Sequence, residues 1–235
     1  MLRRIFLFTS FMMFGLQLTH GQILISLLLG DKLNSGKVEF GLDGGLALSN
    51  ISGIDDTQSN SSLHLGFYFD IKTKGNMLIH TGVIVKSQMG ARNIAYNLDD
   101  PELDPLFMES TAKRELNYFS VPVYIKYKIY NQFFIEAGPQ IGLLYRAKDK
   151  FETQTGSGKA LTMQNDVKEQ YTLFDMGLAG GVGYKLMKGT GINLGVRYYH
   201  GLLNIAKKGI PAQHNRTFYI YAGIPIGAGK KNEIN

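Results

Sequence analysis

The sequence predicts an all-β fold, an eight-stranded antiparallel up-and-down transmembrane β-barrel preceded by an N-terminal signal peptide. Three observations carry that expectation. Eight segments of barrel-strand length alternate apolar and polar residues with period two. Their apolar faces hold no charged residue. The connections between them alternate strictly between short and long.

Each element follows from its own alternation. The first strand sets Val38, Phe40, Leu42, Leu46 and Leu48 against Glu39, Gly41, Asp43, Gly45 and Ala47. The second sets Leu63, Leu65, Phe67, Phe69 and Ile71 against Ser62, His64, Gly66, Tyr68, Asp70 and Lys72. In the third, Met77, Ile79, Thr81, Val83 and Val85 oppose His80, Gly82 and Lys86, with Leu78 and Ile84 blurring the inner face. The fourth places Phe119, Val121, Val123, Ile125 and Tyr127 opposite Tyr118, Ser120, Pro122, Tyr124, Lys126 and Lys128. The fifth sets Phe133, Ile135, Ala137, Ile141, Leu143 and Tyr145 against Glu136, Gly138, Gln140, Gly142 and Arg146. The sixth opposes Phe174, Met176, Leu178, Val182 and Tyr184 to Asp175, Gly177, Ala179, Gly181, Gly183 and Lys185. The seventh carries Ile192, Leu194, Val196 and Tyr198 against Asn193, Gly195, Arg197 and Tyr199. The eighth carries Phe218, Ile220, Ala222, Ile224 and Ile226 against Thr217, Tyr219, Tyr221 and Gly223.

A soluble barrel also alternates, but its apolar face points inward and its outer face carries charge for water. Here the charge-free face is the oily one, which places lipid outside. The polar face, rich in glycine, suits a narrow lumen. Tight turns follow strands two, four and six, at Lys74-Gly75-Asn76, Tyr130-Asn131-Gln132 and Met187-Lys188-Gly189-Thr190. Long connections follow strands one, three, five and seven, at 50–61, 89–115, 148–170 and 204–215. Short periplasmic turns and longer external loops are the habit of outer-membrane barrels, so both chain ends are expected in the periplasm. An even strand count permits closure, which hydrocarbon demands of a sheet.

Arg3 and Arg4, an apolar stretch from Ile5 to Leu18, and the small residue Gly21 before Gln22 read as a secretory signal cleaved after residue 21. A retained anchor is the rival, but the stretch falls short of the roughly 20 apolar residues of a spanning helix. The expected organisation is signal peptide 1–21, periplasmic N-terminal segment 22–37, barrel 38–229 and C-terminal tail 230–235. Ile23 to Leu29 could be a short helix, a plug or a ninth element. Loss of the two arginines leaves 23 basic residues against 19 acidic, so the formal charge falls from +6 to +4. That is modest basicity with no dense Lys/Arg stripe, and it gives no reason to expect nucleic acid as a partner. The chain has 28 Gly, 13 Tyr and 14 Phe, and no Cys, so neither disulfides nor thiolate metal sites are available.

The run Leu116-Asn117-Tyr118-Phe119-Ser120-Val121-Pro122-Val123-Tyr124-Ile125-Lys126-Tyr127 resembles the PorT-like outer-membrane β-barrel proteins of Bacteroidota. So do Phe134-Ile135-Glu136-Ala137-Gly138-Pro139-Gln140-Ile141-Gly142, Asp175-Met176-Gly177, and Gly180-Gly181-Val182-Gly183-Tyr184. The opening Gly30-Asp31-Lys32-Leu33-Asn34-Ser35-Gly36 is similar to the leader of a subset of the family. The resemblance covers most of the expected mature chain and implies fold and location. One namesake of the family is linked to protein secretion, and the family supplies no catalytic residue to carry over.

The chemistry-bearing residues have structural readings. Glu39, Asp43, Asp70, Glu136 and Asp175 are expected to share the lumen with Lys86, Lys126, Arg146, Lys185 and Arg197, pairing across a plugged interior. The histidines at 64, 80, 200 and 214 raise a lipid-modifying hydrolase, but no nucleophile, base and orienting acid form a pattern. Asp99, Asp100, Glu102 and Asp104 could attract calcium, although an EF-hand's glycine and spacing are missing and a proline-fixed turn is the simpler reading. Gly180, Gly181 and Gly183 are expected to make room inside the barrel, and Tyr127, Tyr145, Tyr184 and Tyr198 to join an aromatic girdle. No catalytic, metal or cofactor site is expected. The leading expectation is a non-enzymatic barrel in the bacterial outer membrane, in contact with its lipid. Its long loops, 89–115 and 148–170 above all, would bind other envelope or secretion proteins. A narrow or gated solute channel and a lipid-modifying enzyme are the alternatives.

Overall fold

The computed structural model describes residues 36–95, 107, 110–154 and 160–226. The expected signal peptide, the Ile23–Leu29 stretch, the expected tail and the acidic run at 99–104 lie outside the described residues, as does the expected segment 22–37 except Gly36 and Lys37. The carbonyls of those two residues accept hydrogen bonds from Lys72, at 3.2 Å from its Nζ and 2.7 Å from its backbone N–H respectively.

All eight expected strands form, and a ninth appears. They are β1 (Val38–Ser52), β2 (Gln58–Lys72), β3 (Met77–Ala95), β4 (Thr111–Tyr130), β5 (Phe133–Gln154), β6 (Ala160–Asp166), β7 (Phe174–Lys185), β8 (Asn193–Gly201) and β9 (His214–Pro225). Each of β1 to β5 pairs antiparallel with its sequence neighbour, and β5 continues to β7, β8 and β9. The ring closes where β1 pairs with β9 from Gly41↔Pro225 to Ser52↔His214. No edge is left between these eight strands, so every backbone group in hydrocarbon can be paired. β6 adds nothing to the ring's circumference. It pairs with the upper half of β5 (Lys148↔Asp166 to Gln154↔Ala160), whereas β7 pairs with the lower half (Phe133↔Tyr184 to Leu143↔Phe174).

The oily faces look outward. Leu46, Leu63, Ile79, Val123, Ile125, Ile135, Leu178, Val182, Leu194 and Ile220 are all exposed, as expected of a belt that meets lipid. On β4 this belt runs from Phe119 to Ile129, about the 9–11 residues that a tilted strand needs to cross. Two expected outward residues are buried. Phe40 tucks against the rings of Phe69 and Phe67, at 5.1 and 6.3 Å, and the backbone N–H of Ile226 donates to the Phe40 carbonyl.

Three of the four long connections are shorter than the sequence suggests, because the strands run on past the belt; the one between β8 and β9 keeps its expected length. The first contracts to residues 53–57, β3 and β4 extend to Ala95 and Thr111, and 148–170 is largely the β5–β6 hairpin with a 3-10 turn at Lys168–Gln170. β4 shows why. Its even positions face inward from Ala112 to Lys126, yet the sequence code inverts between Asn117 and Phe119. Below this point the outward residues are Phe119, Val121, Val123, Ile125 and Tyr127. Above it they are Thr111, Lys113, Glu115 and Asn117, while Ala112, Leu116 and Tyr118 turn inward and are buried. One strand thus passes from lipid into water without changing its pleat.

Candidate functional site

Inside the belt, the lumen is filled. Lys126 Nζ lies 2.9 Å from Asp70, whose other oxygen is 2.6 Å from His80 Nδ1. Arg197 donates to Glu136 through Nε at 2.9 Å, its Nη2 lies 2.7 Å from the same carboxylate oxygen as an ion pair, and Tyr221 donates to that oxygen at 2.7 Å. The Arg197 guanidinium is sandwiched between the Tyr124 and Tyr221 rings, 4.6 and 4.4 Å from their centroids. His80 stacks between Tyr68 and Tyr124. Nearer the short turns, Lys185 reaches Glu39 at 2.6 Å, and Tyr68 links Glu39 to Asn193. Glycine makes this packing possible. A Cβ on Gly183 would fall 2.3 Å from the Phe134 ring, and one on Gly45 would fall 2.0 Å from the Ile220 carbonyl oxygen.

Of the ten expected luminal charges, Lys86 and Arg146 are not in the lumen; both are exposed on the outer surface. The cause is a pair of irregularities in the ladder on either side of β4. One falls between Ile84 and Ser87 of β3, the other between Leu144 and Arg146 of β5, opposite Tyr118 and Asn117. An extra residue in one strand shifts its alternation by one, and both basic side chains swing out. Gly180 is a further correction: it faces outward, where an added Cβ would come no nearer than 3.9 Å to another group, whereas Gly181 and Gly183 pack closely.

Above the belt the interior turns apolar. Ile51, Met89, Ala91, Ile94, Phe107, Leu116, Phe151 and Ile205 form one buried cluster across the mouth, and Phe107 meets Phe151 edge-on at 6.3 Å. Through it runs one polar chain, in which Arg114 donates to Asp149 at 2.6 Å and to the Tyr171 hydroxyl at 2.8 Å, and Tyr171 donates to Gln213 at 2.9 Å. A cleft of about 560 Å³ opens over this cap, lined by Ile54, Ile94, Pro211, Arg114, Gln170 and Gln213. On the outer wall, Lys113 and Lys150 approach Glu115 at 3.1 and 2.8 Å. Burial pushes the Glu115 carboxyl up, but hydrogen bonds from Lys150 and Lys113 outweigh it and hold the group below its ordinary range.

The sequence profile of the outer membrane protein beta-barrel domain matches residues 30–207. This chain belongs to that family. As a member it is a bacterial outer-membrane β-barrel, and its β9, beyond the matched stretch, is the strand that closes the ring. No curated protein matches the chain. Among solved structures it is similar to Ail, the attachment invasion locus protein of Yersinia pestis, crystallised with the heparin analogue sucrose octasulfate. Identity is 11% and the TM-score 0.43, over 80% of this chain and 99% of that one. Neisserial surface protein A is similar at 10% identity and TM-score 0.40, over 79% and 96%.

The histidines of this barrel do not share one site. His64 is buried 3.7 Å from Asp43, His80 sits in its aromatic stack, His200 is exposed near Tyr198, and His214 starts β9. His80 and Asp70 have the relation of a base and its orienting acid, but among the described residues no hydroxyl is hydrogen-bonded to His80 Nε2 in a nucleophile's place. Tyr127, Tyr145 and Tyr198 are exposed at the belt's edges. Tyr145 stacks on Phe119 at 4.6 Å, and Tyr184 meets Phe133 at 4.7 Å.

Proposed function

We propose that this barrel is a non-enzymatic scaffold whose projecting strands and loops bind another envelope protein, in assembly of the envelope or in secretion. The observation that carries this is the contrast between its two parts. The membrane-embedded lumen is filled by paired charges and stacked rings, while the rim is built up by strand extensions, the β5–β6 hairpin and a hydrophobic cap. A rigid scaffold presents function on its connections, so what projects is the surface available to a partner. The matching runs 116–127 and 134–142 support a PorT-like relationship and an origin in Bacteroidota. The same reading takes 1–21 as a cleaved signal, 22–37 as periplasmic, 38–229 as barrel and 230–235 as tail.

The test is to shorten the hairpin by replacing Glu152 to Thr162 with Asn-Gly, a two-residue turn that suits the flanking register Phe151↔Met163. The shortened protein should still fold. Crosslinking in native membranes followed by pull-down should then lose the partner recovered with the full-length chain. Equal recovery would move the contact surface off the hairpin.

A second reading, a narrow or gated solute path, is favoured by one observation. Ser120, Gln140, Thr217, Tyr219 and His64 each bury a polar atom that makes no hydrogen bond among the described residues, and such atoms suit ordered water along an interior route.

A further inference from the structure

Lys86 and Arg146 pose a problem that a filled lumen does not answer. Each stands one position beyond the last apolar residue of its strand's belt, after Val85 on β3 and after Tyr145 on β5, and both are exposed. Neither makes an ion pair among the described residues. They flank β4, where Asn117 pairs with Gln88 on one side and Arg146 on the other. Neighbouring strands lie about 4.8 Å apart, so the two cations are on the order of 10 Å from each other around the wall. Lys148 follows Arg146 on the same face.

Two separate ladder irregularities, one on each side of β4 at the same level, turn these two side chains outward. Without the shifts both would point into the interior, as the simple alternation predicts. The rest of the ring's edge carries no such pair of outward cations without an ion-pair partner among the described residues. Asn50, Ser61 and His200 occupy it on β1, β2 and β8, and Arg216 on β9 is held by the Gly201 carbonyl at 2.7 Å. Glu115, the nearest acid on β4's outer face, is already engaged by Lys113 and Lys150.

We infer that Lys86 and Arg146, with the Asn117 amide between them, form a binding site on the barrel's outer wall for the phosphate-bearing head group of an outer-leaflet lipid. Position and charge both select this occupant. The acyl chains of such a lipid would lie along Phe119, Val121 and Tyr145, while its phosphates meet the two cations at the level where hydrocarbon ends. The planar guanidinium of Arg146 can engage a phosphate through two parallel N–H bonds, and Lys86 adds a point charge.

The folded full-length barrel in neutral detergent, titrated with lipid A and read by native mass spectrometry, tests this. The wild type should retain the lipid. The variant K86Q/R146Q should bind about 25-fold more weakly, the loss expected for two basic residues near an anionic surface. K207Q/K208Q, which removes the same charge from the β8–β9 connection, should bind like the wild type. Either single variant should lose about 5-fold, so the site can be judged even where the double variant folds poorly. Unchanged binding by the β3/β5 variants would overturn the site, as would an equal loss in the β8–β9 control. Displacement of the lipid by millimolar inorganic phosphate would also overturn it, because it would reduce the site to an ion contact without the lipid.

Discussion

Arg197 shows how a charge can be kept inside a membrane barrel. It is buried, paired with Glu136 and enclosed by two tyrosine rings. Breaking a buried pair by removing one partner costs roughly 3–5 kcal/mol, because the other charge is left alone in a medium that cannot solvate it. Replacing both partners with apolar groups of similar size is often close to neutral. R197M should therefore destabilise the barrel by about 3–5 kcal/mol, and R197M/E136L should recover most of that loss. Urea titration of the protein folded in vesicles, followed by its heat-modifiable electrophoretic mobility, gives both values. A double variant no more stable than the single one would mean that Tyr124 and Tyr221, not the ion pair, set the stability of this layer.

At the scale of single strands, the sequence makes the membrane-spanning parts legible and hides what lies above them. In the belt, a lipid face and a polar face differ so strongly that alternation alone locates all eight strands. Above it, Ala112, Arg114, Leu116 and Tyr118 face inward while Lys113, Glu115 and Asn117 stand on the outer face, Glu115 covered by its lysines. That contrast is weaker, and the tight hairpin turn signals are absent, so the segment reads as loop. The outward turn of Lys86 and Arg146 is hidden for another reason: a shift of one residue in the ladder leaves no mark in a period-two pattern. The rim's stability has its own pH dependence. The folded Glu115 carboxyl sits below its ordinary value, so it contributes stability that is complete above the unfolded value of about 4.3 and is lost as pH falls through the lower folded one. Amides of the upper halves of β4 and β5 should accordingly exchange faster between pH 5 and pH 3, relative to those beside the belt, once the intrinsic pH dependence of exchange is removed. E115Q should exchange at the faster level throughout, and a wild-type rim indifferent to acid would remove Glu115 from its support.

For the whole molecule, the vertical order of solvents governs what can pass. Hydrocarbon surrounds a polar lumen, and water surrounds a wall whose interior is apolar, so the barrel is closed twice by different physics. The upper closure depends on Phe107, Phe151 and their neighbours packing across the mouth. The lower one depends on Lys126, Asp70, Glu136 and Arg197 neutralising one another in a ring just wide enough for side chains to fill. The two layers meet at Tyr124, which packs into the apolar cluster and stacks on Arg197, but Phe107 and Phe151 are no part of the ion pairs, so loosening the mouth should leave the lower layer shut. F107A/F151A should widen the mouth yet give no steady openings in planar bilayers, because ions entering from above still meet the charge-paired layer. Adding R197S to that variant removes the largest fully buried side chain of the lumen and should produce measurable conductance. Openings that follow from F107A/F151A alone would show that the lower layer does not seal, and would turn the balance from scaffold to channel.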